Sequence, residues 1–210
     1  IFTDGTGLVV GSGTPALGVG VGNAVITVDE TADLDDAAEK IRISKTLDLA
    51  ASCSSDNSVI LLDAIYDEML EKLKHQGGYV VNDEEKAKLQ NVIWVDGHIN
   101  ANVVAKDADK IAGMAGFGIP EGKVFFIVPE TGTGPDYPFS GEKMTVTMAL
   151  YRARYIDEAI ALTNAIQAYQ GQGHSCGIYS RSDENIMKLA MNTKTSRVMV
   201  NQPQSASNSG

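Results

Sequence analysis

Short runs of apolar, β-branched residues alternate along this chain with longer stretches of helical period, and nothing else constrains the fold as strongly. Ala24-Val25-Ile26-Thr27-Val28 reads as a buried strand. Apolar residues at 34, 37, 38, 41 and 43 then predict a helix from Leu34 to Leu47, with Asp33 as its N-cap. Val59-Ile60-Leu61-Leu62 is the next strand, followed by an amphipathic helix from Asp63 to Gln76 that Gly77-Gly78 ends. Residues 79–122 read as mostly helical, with helices from Asn82 to Asn91 and from Asp107 to Ala115. Beyond them come strands at Val124 to Val128, Val146 to Tyr151, Ser175 to Ser180 and Arg197 to Asn201. Helices at Ile156 to Tyr169 and Asp183 to Met191 lie between. Such alternation predicts an α/β domain built on a largely parallel sheet. The polar close, Gln202 to Gly210, is expected not to pack.

One connection carries a thiol. Cys53 lies between the Leu34 helix and the Val59 strand, in the run Ala51-Ser52-Cys53-Ser54-Ser55-Asp56-Asn57-Ser58. Its neighbours are small and polar, so a substrate and backbone N–H groups can both reach the sulfur. A covalent nucleophile has those requirements, because thiolate is the attacking form and nearby donors favour it. The competing reading is a passive small residue.

A net charge of -10 argues against a nucleic-acid surface, which relies on clustered Lys and Arg. No apolar run approaches the length of a membrane span, and no basic-then-apolar leader opens the chain. Two cysteines in unlike settings suggest no disulfide framework, so a reducing cytoplasm is the default. Three scattered histidines give no zinc spacing, and no metal is expected. His75 and His98 read as surface residues, Cys176 as core. Arg42 and Lys45, on the helix leading to Cys53, read as a solvated face. The alternative for that pair is a local positive field for an anionic ligand.

Glycine recurs at 5, 7, 11, 13, 18, 20 and 22. Such density serves tight turns and close backbone approach to a ligand. Gly18-Val19-Gly20-Val21-Gly22 fits part of a dinucleotide loop, but a strand follows where that motif needs a helix, and a Gly-rich interdomain connection fits as well.

Several stretches together resemble the aldehyde dehydrogenase superfamily, in its CoA-acylating branch. They are Gly18-Val19-Gly20-Val21-Gly22-Asn23, Asp33-Leu34, Cys53-Ser54-Ser55-Asp56-Asn57-Ser58, Pro138-Phe139-Ser140-Gly141-Glu142-Lys143-Met144, Tyr151-Arg152, Gly173-His174-Ser175 and Arg197-Val198-Met199-Val200-Asn201-Gln202-Pro203. The resemblance implies a three-layer catalytic domain over 23–201, the end of a dinucleotide-binding domain over 1–22, and a polar tail over 202–210. It further implies a catalytic portion cut from a longer chain, inactive alone.

By the same resemblance Cys53 is the nucleophile, its amide one oxyanion donor, and Glu142 the acceptor of the nicotinamide ribose hydroxyls. Thr3, Gly5 and Gly18 fall at cofactor contacts, and Asn23 shapes the turn near the nucleotide. His174 is a proton shuttle or CoA contact, or else a structural histidine. Hydrolytic members carry a base in a Glu-Leu-Gly-Gly motif, whereas here that stretch resembles Gly18-Val19-Gly20, with no carboxylate. The implied reaction is oxidation of a small aldehyde with NAD or NADP, through a cysteine thioester passed to coenzyme A. The implied assembly is a homo-oligomer. A hydrolytic dehydrogenase and a noncatalytic interaction module are the competing functions.

Overall fold

The structure is a computed structural model that describes residues 20–208. Among the described residues seven parallel strands form the main sheet: β1 (Ala24–Val28), β2 (Asp56–Leu62), β3 (Gly78–Val80), β6 (Phe125–Pro129), β7 (Thr147–Ala153), β8 (Cys176–Tyr179) and β9 (Val198–Val200), in the order β3-β6-β7-β2-β1-β8-β9. A two-stranded antiparallel ribbon, β4 (Trp94–Val95) and β5 (His98–Ile99), stands apart. Among the described residues six α-helices pack around the sheet: α1 (Leu34–Thr46), α2 (Tyr66–His75), α3 (Asp83–Ile93), α4 (Ala108–Ala115), α5 (Ile156–Tyr169) and α6 (Asp183–Asn192).

Every residue of β1 and of β2 is buried, as expected of central strands covered on both faces. The connections β1–α1–β2 and β2–α2–β3 step one way across the sheet, while β7–α5–β8 and β8–α6–β9 step the other way. Right-handed crossovers then put α1 and α2 on one face and α5 and α6 on the opposite one. The result is the expected three-layer α/β arrangement.

Local signals set the helix ends. Asp33 accepts the Asp36 N–H at 3.3 Å as the N-cap of α1, and Asn82 with Glu85 forms a reciprocal cap on α3. The Asp63 helix starts one turn late, as a 3₁₀ turn over Asp63–Ile65 that leads into α2.

Three differences from the sequence reading have physical causes. The stretch 79–122 is less helical than expected, because it contains the ribbon and begins inside β3. Asp96 and Gly97 both take positive φ (52° and 77°), so the Asp-Gly pair makes the hairpin turn its composition encodes. Lys45 is not on a solvated face but fully buried. The polar tail packs: Gln204 is buried over Gly177, where a Cβ would come within 2.8 Å of its Nε2, and the Ser205 N–H donates to Ser44 Oγ at 3.3 Å.

Candidate active site

Because the strands run parallel, the residues that enter them share one edge of the sheet. Cys53 precedes β2, Gly22 and Asn23 precede β1, Glu142 precedes β7, and His174 precedes β8. Open α/β sheets more often place ligands at the carboxyl ends of their strands. Here the chemistry-bearing side chains gather at the amino ends.

Cys53 is exposed. Past the end of α1 the backbone turns through three successive left-handed residues, Asp48, Leu49 and Ala50 (φ 48°, 53° and 61°). Side-chain-bearing residues rarely adopt that conformation, so surrounding structure must hold the turn. A second turn closes with Ser55 N–H donating to Ser52 O at 3.0 Å, and the Ser52 and Ser54 hydroxyls meet at 2.9 Å. The thiol stands at the tip of this turn, while Ser54 and Ser55 behind it are buried.

Gly22 lets the sulfur's neighbours close in. A Cβ there would fall 2.6 Å from Cys53 O, 2.7 Å from Cys53 Cβ and 3.0 Å from Glu142 Oε1. Only a glycine fits between the thiol turn and the carboxylate, so Cys53 and Glu142 share one small space. The dense glycines of the leading segment have a demonstrable use at this position.

Glu142 is buried, and neither carboxylate oxygen has a hydrogen-bond partner among the described residues. Burial pushes its pKa up to about 7, opposed by the nearby Gly22 backbone N–H and by the Lys143 and Lys45 ammonium groups. Its backbone is fixed from two sides. The Glu142 N–H donates to Gln170 Oε1 at 2.9 Å, and the next N–H, of Lys143, donates to Asn57 Oδ1 at 3.1 Å. Asn57 thus ties the Glu142 loop to the strand leaving the thiol. The Lys143 ammonium donates to the carbonyls of Phe139 (2.6 Å) and Gly141 (2.7 Å), which closes the loop on itself. Asn23 is buried with its Nδ2 donating to Ser140 O (2.8 Å) and Gln170 O (3.1 Å), which ties the start of β1 to the Glu142 loop.

His174 stands two strands away from Cys53 along the same edge, a lateral offset of about 10 Å at the usual strand spacing. It is half-buried, its Nδ1 lies 2.9 Å from Ser175 Oγ, and Ser196 Oγ donates to its carbonyl. Desolvation first, then Arg197, holds its pKa below the ordinary histidine value, so the neutral ring predominates at neutral pH.

Cys176 is fully buried, its thiol pKa raised by desolvation and its Sγ 3.6 Å from Thr193 Oγ1, as a core cysteine should be. His75 and His98 are exposed. Thr3, Gly5 and Gly18 lie outside the described residues. The site also contains groups to which the sequence reading gave no role, Asp56, Asn57 and Gln170, and Lys45, which it read as part of a solvated face. Asn57 and Asp56 had a signal, since polar residues that open an otherwise apolar buried strand need partners. Gln170 had none. No cluster of metal-binding side chains occurs among the described residues, and no helix there is long and apolar enough to cross a membrane.

No protein-family profile matches the chain. Comparison with individual proteins is more informative. The chain is 41% identical over 192 residues to the acylating sulfoacetaldehyde dehydrogenase of Cupriavidus necator, a match covering 90% of this chain and 39% of that protein. It superposes on an acetylating aldehyde dehydrogenase from Geobacillus thermoglucosidasius with a TM-score of 0.90 and 35% identity, over 95% of this chain and 45% of the other. A propionaldehyde dehydrogenase from Rhodopseudomonas palustris, solved with bound CoA and an acylated cysteine, matches at 25% identity and a TM-score of 0.81, over 95% and 45% of the two chains. The chain belongs to the aldehyde dehydrogenase superfamily. The relatives it matches there are acylating aldehyde dehydrogenases, and it spans less than half the length of each of these three.

Proposed function

We propose that this chain supplies the nucleophile of an aldehyde dehydrogenase that passes its acyl group to coenzyme A. The single observation that carries this reading is the exposed Cys53 thiol beside Gly22 and the Glu142 carboxylate. The Cys53 thiolate adds to the aldehyde carbon, and the oxyanion that forms needs N–H donors, of which the Cys53 amide is one. Hydride leaves the resulting thiohemiacetal for NAD or NADP, and an enzyme thioester remains. The CoA thiol, having given up its proton, displaces Cys53 as thiolate. A neutral His174 on the same edge suits the role of acceptor for that proton. A carboxylate such as Glu142 accepts both hydroxyl hydrogens of one ribose, which suits nicotinamide binding next to the thiol.

Transfer to CoA rather than water is supported by the likeness to acylating enzymes and by the stretch Gly18-Val19-Gly20, which carries no carboxylate where a hydrolytic enzyme has the glutamate of its Glu-Leu-Gly-Gly motif. The hydrolytic alternative gains one point: Glu142, with its raised pKa, is itself able to take a proton from water near Cys53. NADH formation by the full-length protein from a panel of small aldehydes, with and without CoA, separates the two. Turnover that depends on CoA supports the proposal. Equal turnover without CoA, with free acid as product, overturns it.

In the full-length protein residues 1–22 would complete the dinucleotide-binding domain and 23–201 form the catalytic domain, with Thr3, Gly5 and Gly18 as cofactor contacts. Free cysteines fit a reducing cytoplasm, and the half-buried edge strand β9 offers a surface for a homo-oligomer.

A further inference from the structure

Two residues at the end of α5, Gln170 and Gly171, touch three strand starts that the chemistry above draws on separately. Gln170 caps the helix, its N–H donating to Ile166 O at 3.2 Å. Its side-chain Oε1 accepts the Glu142 N–H at 2.9 Å, from the loop before β7. Its backbone carbonyl accepts Asn23 Nδ2 at 3.1 Å, from the residue that precedes β1. The Gly171 carbonyl accepts the His174 N–H at 3.0 Å, ahead of β8. Gly171 takes φ 89° and lies against Asn23, where a Cβ would fall 2.5 Å from Asn23 Cβ and 2.8 Å from its N. Asn23 in turn follows Gly22, the residue packed on Cys53. A single turn thus joins the backbones of Glu142, His174 and the strand beside the thiol.

The residue before Glu142 is shaped to admit this glutamine. Gly141 has φ -90° and ψ -176°, extended backbone that any residue adopts, so conformation does not require a glycine there. Space does. A Cβ on Gly141 would fall 2.5 Å from Gln170 Oε1 and 3.0 Å from Gln170 Cδ. Neither Glu142 carboxylate oxygen has a hydrogen-bond partner among the described residues, so the direction of that side chain depends on where its backbone is held. The ties through Asn57 and through the Lys143 ammonium act on the neighbouring residues, whereas Gln170 binds Glu142 itself. We propose that Gln170 is a positioning residue: by accepting the Glu142 N–H it holds the Glu142 carboxylate in the space beside Cys53, set to receive the nicotinamide ribose. This rests on the reading of Glu142 as the ribose acceptor.

Two substitutions in the full-length protein break the contact from opposite sides. Gln170→Ala removes the acceptor, and Gly141→Ala pushes it away while leaving it in the chain. Each should weaken NADH binding, measured by fluorescence, and raise the KM for the nicotinamide nucleotide by about fivefold, the loss expected of one hydrogen bond. The aldehyde KM and kcat should stay within about twofold of wild type, a split that a merely structural glutamine would not produce. The double variant should be no worse than Gln170→Ala, because both changes remove the same contact. Hydrogen exchange at the Glu142 amide, followed by mass spectrometry of peptides spanning the loop, should speed up about tenfold in Gln170→Ala. If Gln170→Ala does not fold, Gly141→Ala carries both measurements. Unchanged exchange overturns the proposal. So does faster exchange with nucleotide binding unmoved, when Glu142→Gln weakens that binding. Effects that simply add in the double variant also overturn it. Faster exchange, with NADH binding indifferent to Gln170→Ala and to Glu142→Gln alike, upholds the hold of Gln170 on Glu142 and overturns the ribose reading instead.

Discussion

Two edges of one sheet carry buried carboxylates, and the two treat them in opposite ways. At the carboxyl edge Asp29, just past β1, is fully buried and saturated with partners. Its Oδ1 accepts from the Thr31 N–H (2.8 Å) and hydroxyl (2.7 Å), and its Oδ2 from Ser180 Oγ (2.5 Å) and Asn185 Nδ2 (2.8 Å). At the amino edge Asp56 keeps one oxygen unpartnered and Glu142 both, among the described residues. A carboxylate with four donors fastens β1, β8 and α6 together. One held in place by its backbone, with its oxygens unspent, is kept for something that arrives. The contrast fits the proposed placement of the chemistry at the amino edge, against the usual preference of α/β sheets.

Removing the thiol should have the largest effect. Cys53→Ala in the full-length protein is expected to abolish aldehyde oxidation, by on the order of a thousandfold or more, without lowering the melting temperature. Cys176→Ala should keep activity and lose stability, since that sulfur is core. Activity surviving in Cys53→Ala would move the chemistry to another residue.

The carboxylates come next. Asp29→Ala leaves buried donors on Thr31, Ser180 and Asn185 unmatched and should cost about 2–4 kcal/mol in urea unfolding. Glu142→Gln, which breaks no observed side-chain hydrogen bond, should cost less than about 1 kcal/mol and instead weaken nucleotide binding. Comparable losses of stability in the two variants would erase the contrast between the edges.

The smallest effect is a pH dependence of stability. Asp56 and Glu142 titrate near 7 when folded, against 3.8 and 4.5 as free groups. Between those values the folded chain binds more protons, so their contribution falls as pH rises from about 4 to about 7. Lys45 titrates near 7 when folded against 10.5 when free. Above 7 the unfolded chain therefore binds more protons, and stability climbs again. The amino edge thus contributes a stability minimum near neutrality, read from urea midpoints across the range. Asp56→Asn should flatten the acid arm and Lys45→Met the alkaline arm. Arms unchanged by both substitutions would place the titrating groups elsewhere.

Much of this was legible from the residues alone. The helix over Ile156–Tyr169 has the bounds that its period implied, and Asp33 caps α1 as its type and position suggested. The thiol turn, the core setting of Cys176 and the parallel layered fold also follow from local chemistry, because small polar residues, β-branched runs and caps act over a few residues. Other features hid for definable reasons. The strand β3 is only three residues long, too short for any alternation to show. The Asp96-Gly97 hairpin was encoded but flanked by strands of two residues each.

The tertiary structure alone decided which charges would be buried. Helical period places Lys45 beside the core stripe of α1 but cannot tell a lysine that reaches water from one enclosed by β2 and the Glu142 loop. Likewise nothing in the spacing of residues 22, 53 and 142 places a glycine between a thiol and a carboxylate. Sequence fixes elements through interactions along the chain, whereas a site assembled from the starts of four strands exists only once their parallel order has been set.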